Sequence, residues 1–553
     1  MLPAALAAGG MVALWRRCRQ REARDESPRV KKQDLSGGGV AVSASAARRS
    51  PARPLALPPP LPLPPLPRPA ASLTVLDLSG LGLTSVDALF PAGTTKPLYP
   101  RLEVLDLGRN ALAHLPESLA AAAPRLVRLN VQGNPGLTHL PDCLGSLSRL
   151  RVLGAARCGL VELPASIGGC GALEELYVTG NALSTFPPSL AACGRLQKVQ
   201  ASFNALVDLG GLATPLPSLE MLRVACCGLA AFPASLAAAP RLAWISLAGN
   251  PAAAAPPPLP STTPIVPARD VTPGAPLGAG ASGDVCVASL RPRGDLPRAA
   301  ALKTFRGDVG PDGAAADEVA VSKAVGCGGH PALSSVLAVV KAKGKGKGRG
   351  APPPALLLAL VRGSPLADRP NGAPLLRPHW RAGARLAPAA ALRLAASLAG
   401  GLAHLHAKGL AHGDFYAHNV LAHDLGNDGN DDGNGQAGGV EAPPSPAVLV
   451  DFGAAFAYHL DAPPASCPAW AFQAFEARAF GLFLAQLAAH GLSSGGDEGG
   501  GGGGGFVARA SASRALLRAA KACTRPDPSS RPSLAEVERD LLAAAERVRD
   551  DKK

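Results

Sequence analysis

Length, composition and charge allow several domains and argue against some functions. The chain has 553 residues, enough for two or three domains with hydrophobic cores, and its 63 glycines and 56 prolines predict long flexible stretches. Thirteen of its fourteen net positive charges lie in residues 1–72 and 341–350. Both segments have the composition of solvated tails, so no nucleic-acid partner is expected, with RNA or acidic-membrane contact as the alternative. The eleven cysteines show neither zinc spacing nor a disulfide framework, which favours a reducing, cytoplasmic location.

Residues 1–72 are predicted to be a disordered, basic and proline-rich N-terminal region. Fifteen apolar residues precede "RRCRQR", which is short of the roughly 17 that a membrane-spanning helix needs. The charge follows the apolar part, whereas a secretory signal places it before. An organellar transit peptide and a reverse-oriented anchor are alternatives to simple disorder. Ten prolines in residues 51–70 predict a stiff polyproline II spacer, and no other segment resembles a membrane span.

A leucine repeat occupies residues 73–250. Eight segments follow one another at spacings of 23 to 29 residues, starting at Leu73, Leu102, Leu126, Leu150, Leu173, Leu196, Leu219 and Leu242. They resemble L-x-x-L-x-L-x-x-N-x-L, the leucine-rich repeat. Leucines at offsets 0, 3 and 5 are predicted to point inward. The residue at offset 8 is predicted to satisfy backbone groups at a tight turn. In successive repeats from the second onward this residue is Asn110, Asn134, Cys158, Asn181, Asn204, Cys227 and Asn250. The resemblance implies an α/β solenoid that recruits a protein partner or substrate, with a purely architectural role as the alternative.

Motifs typical of nucleotide chemistry begin after a Pro/Ala linker at residues 251–268. "LGAGASGDVCV" fits G-x-G-x-x-G-x-V, and its candidate nucleotide-binding residues are Leu277, Gly278, Gly280, Gly283 and Val285. Glycines allow backbone N–H groups to approach phosphates. In "AALKTF", Ala301 and Lys303 are further candidates, because a lysine can hold α- and β-phosphates as a point charge. Glu318 is predicted to orient this lysine, with Asp317 as the fallback.

Three more candidate residues come from two later motifs. In "AHGDFYAHN", Asp414 can accept a hydrogen bond from an attacking hydroxyl, and Asn419 can hold a metal ion. His412 is expected to pack under the loop rather than act as a base. "VLVDFG" places Asp451 at the end of a strand, where a carboxylate can bind Mg²⁺.

In this order and spacing the motifs resemble a protein kinase over residues from about 270 to 547. Glu476 with Gly481, and Arg531, match two of its later helical motifs. The resemblance implies a two-lobed α+β domain over residues 269–548, with low-complexity inserts at 341–354, 424–446 and 493–505. It also implies ATP and Mg²⁺, transfer of the γ-phosphoryl to a serine or threonine hydroxyl, and the catalytic set Asp414, Lys303 and Glu318 with Asn419 and Asp451 on the metal. The whole chain is then predicted to be a multidomain leucine-rich-repeat kinase.

Three departures from the kinase pattern bear on activity. Gly413 replaces the arginine that pairs with a phosphorylated activation loop, and Tyr416 replaces a lysine whose charge faces the γ-phosphate. The segment between Asp451 and Glu476 is short and lacks the A-P-E motif, whose glutamate pairs with the arginine at Arg531. The alternative is therefore a pseudokinase scaffold that binds nucleotide and partners without phosphotransfer.

Overall fold

The computed structural model describes residues 72–254, 263–291, 299–326, 329–341, 355–368, 379–423, 445–493 and 504–550, except 215, 281, 308, 311, 362, 382, 383 and 462–465. Residues 1–71 of the predicted disordered N-terminus, residues 255–262 of the linker and most of the three inserts lie outside these residues. The described residues of Leu61–Asp368 and Trp380–Lys553 belong to one compact unit. Among the described residues, no helix is both long and apolar enough to cross a membrane.

Eight short parallel strands form one sheet in chain order, which confirms the predicted leucine-rich-repeat region. Each strand pairs with the next in unshifted register, as in Val75 opposite Val104 and Met221 opposite Trp244. The strands are β1 Val75–Asp77, β2 Val104–Asp106, β3 Arg128–Asn130, β4 Val152–Gly154, β5 Glu175–Tyr177, β6 Lys198–Gln200, β7 Met221–Arg223 and β8 Trp244–Ser246. A single turn of α-helix, α1 Leu119–Ala122, and several 3₁₀ helices such as Asp142–Ser146 and Ala165–Gly169 connect them.

The residue at offset 8 fastens each repeat to its predecessor. In Asn134, Oδ1 accepts the Leu112 N–H at 3.0 Å, and Nδ2 donates to the carbonyls of Leu107 and Val131 at 3.1 and 2.7 Å. The Cys158 thiol takes one of these donor roles and lies 3.3 Å from the Val131 carbonyl oxygen. A buried donor at this offset is therefore structural, because the turn carbonyls beneath it have no water to bond. All nine cysteines among the described residues are unpaired.

A six-stranded sheet of order β10-β11-β12-β16-β15-β9 follows the repeats. All pairings within it are antiparallel except that of β9 with β15. A two-stranded hairpin, β13–β14, leads into helix α2 beside this sheet. The elements are β9 Ile265–Pro267, β10 Val271–Ala279, β11 Gly283–Leu290, β12 Ala299–Phe305, β13 Val309–Gly310, β14 Gly313–Ala314, α2 Ala315–Gly326, β15 Val336–Lys341 and β16 Ala355–Leu358.

Helices dominate the remainder of the chain. Four leucines recur at helical spacing in the helix Pro388–Ala407, and all of them are buried: Leu394, Leu398, Leu402 and Leu405. The elements are β17 Ser364–Pro365, β18 Ala367–Asp368, β19 His379–Trp380, α3 Pro388–Ala407, β20 Leu410–Ala411, β21 Val420–Ala422, β22 Ala447–Leu449, β23 Phe456–Ala457, α4 Ala469–His490, α5 Gly504–Cys523 and α6 Leu534–Asp550.

The last repeats share a hydrophobic core with the C-terminal elements. The apolar cluster inside the solenoid continues into Phe456, Phe472 and Phe475. The Phe232 ring of the seventh repeat lies 5.6 Å from the Phe472 ring, and the Cys467 N–H donates to the Phe232 carbonyl at 2.7 Å. The repeats are thus joined to the rest of the chain by a packed core rather than by the linker alone.

Candidate functional site

A buried lysine lies between two carboxylates from distant parts of the chain. Lys303 sits in β12, opposite Val285 on one side and Leu356 on the other. Its Nζ pairs with a carboxylate oxygen of Glu318 on α2 and lies 2.9 Å from Asp451 Oδ1. Although burial disfavours its charge, the carboxylates of Asp451 and Glu318 outweigh that effect and raise the pKa of Lys303. The lysine is therefore held as a cation.

The predicted glycine loop is the hairpin between β10 and β11. Gly278 lies opposite Val285, which in turn lies opposite Lys303, so the three residues form a row across the sheet. The Gly280 N–H donates to the Gly283 carbonyl at 2.7 Å and closes the hairpin. A Cβ on Gly283 would fall on the Thr304 carbonyl oxygen, so only glycine fits there.

The other two candidate nucleotide-binding residues occupy the same sheet. Leu277 in β10 is 54% exposed. Ala301 is buried in β12 between Val287 and Leu358, two residues before the lysine. All seven residues predicted to bind nucleotide therefore lie on three adjacent strands and the hairpin between two of them.

Asp414 and Asn419 are brought together by the loop that follows β20. Asn419 Nδ2 donates to the Asp414 carbonyl at 2.9 Å and lies 3.3 Å from Asp414 Oδ2. His412 is fully buried beneath the loop, with its ring centroid 4.9 Å from that of Phe452, and burial lowers its pKa. A neutral, enclosed imidazole of this kind supports the loop, in agreement with its predicted packing role.

A buried glutamate on α4 fixes the backbone of this loop. Glu476 Oε1 accepts the N–H groups of His412 and Gly413 at 2.8 and 3.0 Å, and Oε2 lies 2.7 Å from His406 Nε2. Burial opposes ionisation of this carboxyl, but the hydrogen bond with His406 and the nearby histidines lower the pKa of Glu476 overall. Its charge is therefore held in place inside the core.

Asp451 adopts a backbone conformation that is unusual for a residue with a side chain. Its φ is 68°, in the left-handed region, and the preceding Val450 N–H donates to the Asn419 carbonyl at 2.9 Å. This hydrogen bond places Asp451 beside Asn419, with its carboxylate reaching Lys303. Four other non-glycine residues have positive φ, all at turns of the repeats: Arg109, Arg157, Phe203 and Cys226. In each case the surrounding structure maintains the strain.

The charges and donor atoms at this point suit a divalent cation. The carboxylates of Asp312, Glu318, Asp414 and Asp451 outnumber the three cations near them, Lys303, Arg223 and Lys198. Asn419 and Asp451 offer oxygen atoms, which Mg²⁺ prefers, and Mg²⁺ at phosphate sites takes few protein ligands. Among the described residues, no group of three or more His, Cys, Asp or Glu side chains is placed to hold a metal ion, and Asn419 and Asp451 are the pair that the sequence predicts for it.

The solenoid contributes a side chain to this site that sequence reasoning did not find. Arg223, the last residue of β7, pairs through its guanidinium with an Asp414 carboxylate oxygen and, at 2.7 Å, with Asp312 Oδ1. Asp312 lies between β13 and β14, and its carbonyl accepts a hydrogen bond from Ser246 Oγ of β8. Burial disfavours the arginine charge, yet the two carboxylates outweigh it and raise the pKa of Arg223.

The eighth repeat covers the loop next to the aspartate. The Trp244 indole stacks on the Tyr416 ring at a centroid distance of 4.6 Å and an interplanar angle of 6°. Its Nε1 donates to the Phe415 carbonyl at 3.1 Å. Gly413 has φ of 72°, and a Cβ there would collide with the carbonyl oxygens of Ile245 and Ala454. The glycine and the tyrosine that depart from the catalytic-loop motif are therefore the residues against which the repeat packs.

Arg531 also bonds to the solenoid. Its guanidinium donates to the carbonyls of Ala474, Arg525 and Pro240 at 2.9, 3.0 and 2.7 Å. Burial lowers its pKa to about 10, so it remains charged at neutral pH. A turn of the solenoid thus supplies one of the acceptors of an arginine whose expected glutamate is missing from the sequence.

Comparison with known proteins adds little to this geometry. No family model matches the sequence, and no curated protein matches it. Part of the chain is similar to the solved structure of a leucine-rich-repeat protein from Leptospira interrogans, at 28% identity and a TM-score of 0.30. The match covers 32% of this chain and 44% of that one.

Proposed function

We propose that the protein is an ATP-dependent protein kinase, of the serine/threonine type, whose leucine-rich repeats recruit a protein partner or substrate. The contact of Lys303 with both Glu318 and Asp451 carries the proposal. These partners lie 15 and 148 residues away in the sequence, and the pairing with Glu318 is the one that the kinase resemblance implies. Burying a cation between two carboxylates carries a desolvation cost, and strongly perturbed ionisable groups of this kind cluster at functional sites.

Each residue has a defined part in this proposal. Lys303 would contact the α- and β-phosphates of ATP, and Glu318 orients it. The backbone N–H groups of the glycine loop would cover the phosphates, and Asp414 would accept a hydrogen bond from the acceptor hydroxyl. Mg²⁺, held by Asn419 and Asp451, would neutralise charge on the phosphate oxygens.

A second candidate, the nucleotide-binding scaffold without phosphotransfer, is favoured by Tyr416, an uncharged residue at the position where kinases carry a lysine. The cavity between the glycine loop and α2 has a volume of about 10 Å³, enough for one water molecule. Asp312 and Gly313, at the turn between β13 and β14, line this cavity beside Glu318 and Gly453. A cavity of this size is too small for a nucleotide, so binding at this point requires the lining residues to move.

Incubation with γ-labelled Mg-ATP and a broad mixture of protein acceptors separates the two candidates. Wild-type protein is compared with Asp414→Asn and with Asp540→Asn, which changes an exposed aspartate on α6. The kinase proposal expects label transfer by the wild type and the Asp540 variant, and at least a hundredfold less by Asp414→Asn. Binding of Mg-ATP without transfer by any of the three favours the scaffold, and equal transfer by all three shows that Asp414 is not the base.

A further inference from the structure

The catalytic loop itself provides no cation next to Asp414. The position at which kinases carry a lysine is occupied by Tyr416, whose ring is enclosed by Trp244 and His418. Phosphoryl transfer concentrates negative charge on the oxygens of the moving group, and a site without a cation there loses transition-state stabilisation. Among the described residues, the cation that is paired with Asp414 is Arg223 of the seventh repeat.

The position of Arg223 follows from the repeat geometry. It lies at offset 4 of its repeat, one of the positions that point away from the leucine core, in register with Gln200 and Ser246. From there the side chain leaves the solenoid and enters the site, where only 5% of it is exposed. Its Nε is buried without a hydrogen-bond partner. A buried guanidinium with an unused donor is costly, and a phosphate oxygen is the acceptor that best fits it.

The packed interface between the solenoid and the C-terminal region keeps Arg223 in the site. The core of the solenoid continues without a break into the aromatic residues of β23 and α4. Separation would expose the Phe232–Phe472 contact and leave Arg531 without its Pro240 acceptor. Because detachment would uncover this apolar surface, it is too costly to serve as a simple switch.

We propose that Arg223 is a charge-stabilising residue of the phosphotransfer centre, so that the seventh repeat supplies within one chain the cation that the catalytic loop lacks. This inference rests on the proposed kinase function. In the reaction, the acceptor oxygen forms a bond to the γ-phosphorus as the bond to the β,γ-bridging oxygen breaks. ADP leaves with that electron pair, the hydroxyl proton passes to Asp414, and the Arg223 guanidinium contacts the oxygens of the moving group. An arginine supplied from outside the catalytic loop is worth roughly 10³–10⁵ in rate in other phosphoryl-transfer enzymes.

The test compares Arg223→Lys, Arg223→Gln and Arg223→Met in the full chain. The control is Arg128→Met, which removes an exposed arginine from β3 of the same sheet. Two quantities are measured: kcat for label transfer from Mg-ATP, and the equilibrium affinities for Mg-ATP and Mg-ADP. Urea denaturation identifies any variant that does not fold. If Arg223→Met does not fold, Arg223→Lys still allows the test, because it keeps a positive charge opposite the two carboxylates.

The expected result is a fall in kcat of about 10²–10³-fold for Arg223→Met and Arg223→Gln, and a smaller fall for Arg223→Lys. Affinity for Mg-ATP should drop about tenfold while affinity for Mg-ADP stays unchanged, because only ATP carries the phosphate that the guanidinium contacts. Arg128→Met should change neither quantity. The inference would be overturned by a folded Arg223 variant whose kcat equals or exceeds that of the wild type. It would also be overturned by a variant that loses affinity equally for Mg-ATP and Mg-ADP.

Failure of the proposed function gives a different result. If the wild-type protein transfers no label, the kinase proposal is overturned. The affinities for Mg-ATP and Mg-ADP then test by themselves whether Arg223 contacts the γ-phosphate. Selective loss of Mg-ATP affinity supports a γ-phosphate contact, whereas an unchanged preference between the nucleotides overturns it.

Discussion

Replacing Gly413 by alanine tests how tightly the eighth repeat packs on the loop at residues 411–419. The residue has φ of 72°, and an alanine Cβ would lie 2.7 Å from the Ala454 carbonyl oxygen and closer still to that of Ile245. The left-handed conformation costs about 1 kcal/mol for a residue with a Cβ. Overpacking of a close-packed region costs roughly 1–3 kcal/mol more. Gly413→Ala should therefore lower the free energy of unfolding by about 2–4 kcal/mol.

Equilibrium urea denaturation, followed by tryptophan fluorescence, measures this loss. Gly194→Ala is the matched control, because a Cβ there meets nothing within 4 Å and its φ lies outside the left-handed region. The control should stay within about 0.5 kcal/mol of the wild type. A loss below about 0.5 kcal/mol for Gly413→Ala would refute the reasoning, because the repeat would then have room to move away from the loop.

Three other expectations concern the same interface and its support. Burial lowers the pKa of Lys198 from 10.5 to about 8, so the unfolded chain binds this proton more tightly than the folded chain. The free energy of unfolding should therefore rise by about 3 kcal/mol between about pH 8 and pH 10.5. Lys198→Met should lack this rise in parallel urea titrations. Glu476→Gln removes a buried carboxylate that bonds His406 and should cost about 1.5–3 kcal/mol of unfolding free energy, whereas no loss would show that the charge is unimportant. A double-mutant cycle on Trp244 and Tyr416, with alanine at each, should give a coupling of about 0.5–1.5 kcal/mol, and additive effects would contradict the stacking.

The repeats could be predicted from sequence because their signal is periodic. The leucines recur at offsets that a strand and its turn must bury, and the donor at offset 8 recurs with them. Cys158 could be assigned a structural role from its offset alone, and its thiol does donate to the turn carbonyl that an asparagine would bond. The core of a repeat is fixed by its neighbours, so spacing carries most of the information.

The meeting of Lys303, Glu318 and Asp451 follows the order of motifs in the chain. Each motif is weak alone, but the structure places all three side chains in one contact. No motif in the sequence indicates that Arg223 contributes to the site. It lies 191 residues from Asp414, at an outward offset that no pattern constrains. A long-range ion pair of this kind depends on how two regions dock, which local periodicity does not encode.

Gly413 and Tyr416 were seen in the sequence as departures from a motif. The loss of the arginine at Gly413 is consistent with the missing activation-segment motif. Nothing in the sequence explains Tyr416. The structure relates both to the eighth repeat, through the Ile245 carbonyl and the Trp244 indole. A motif residue can thus be lost because another part of the chain occupies its space.

Native-state hydrogen exchange shows directly whether the last two repeats and the loop at residues 411–419 form one unit. Amide protection is measured at increasing urea for peptides covering β7, β8 and the loop. If the two regions share one core, their amides open with the same free energy and the same dependence on urea. Trp244→Ala should then lower protection in both regions together. A loop that exchanges at a much lower free energy than the strands, and does not respond to Trp244→Ala, would contradict the proposal that the repeats and the C-terminal region build the site jointly.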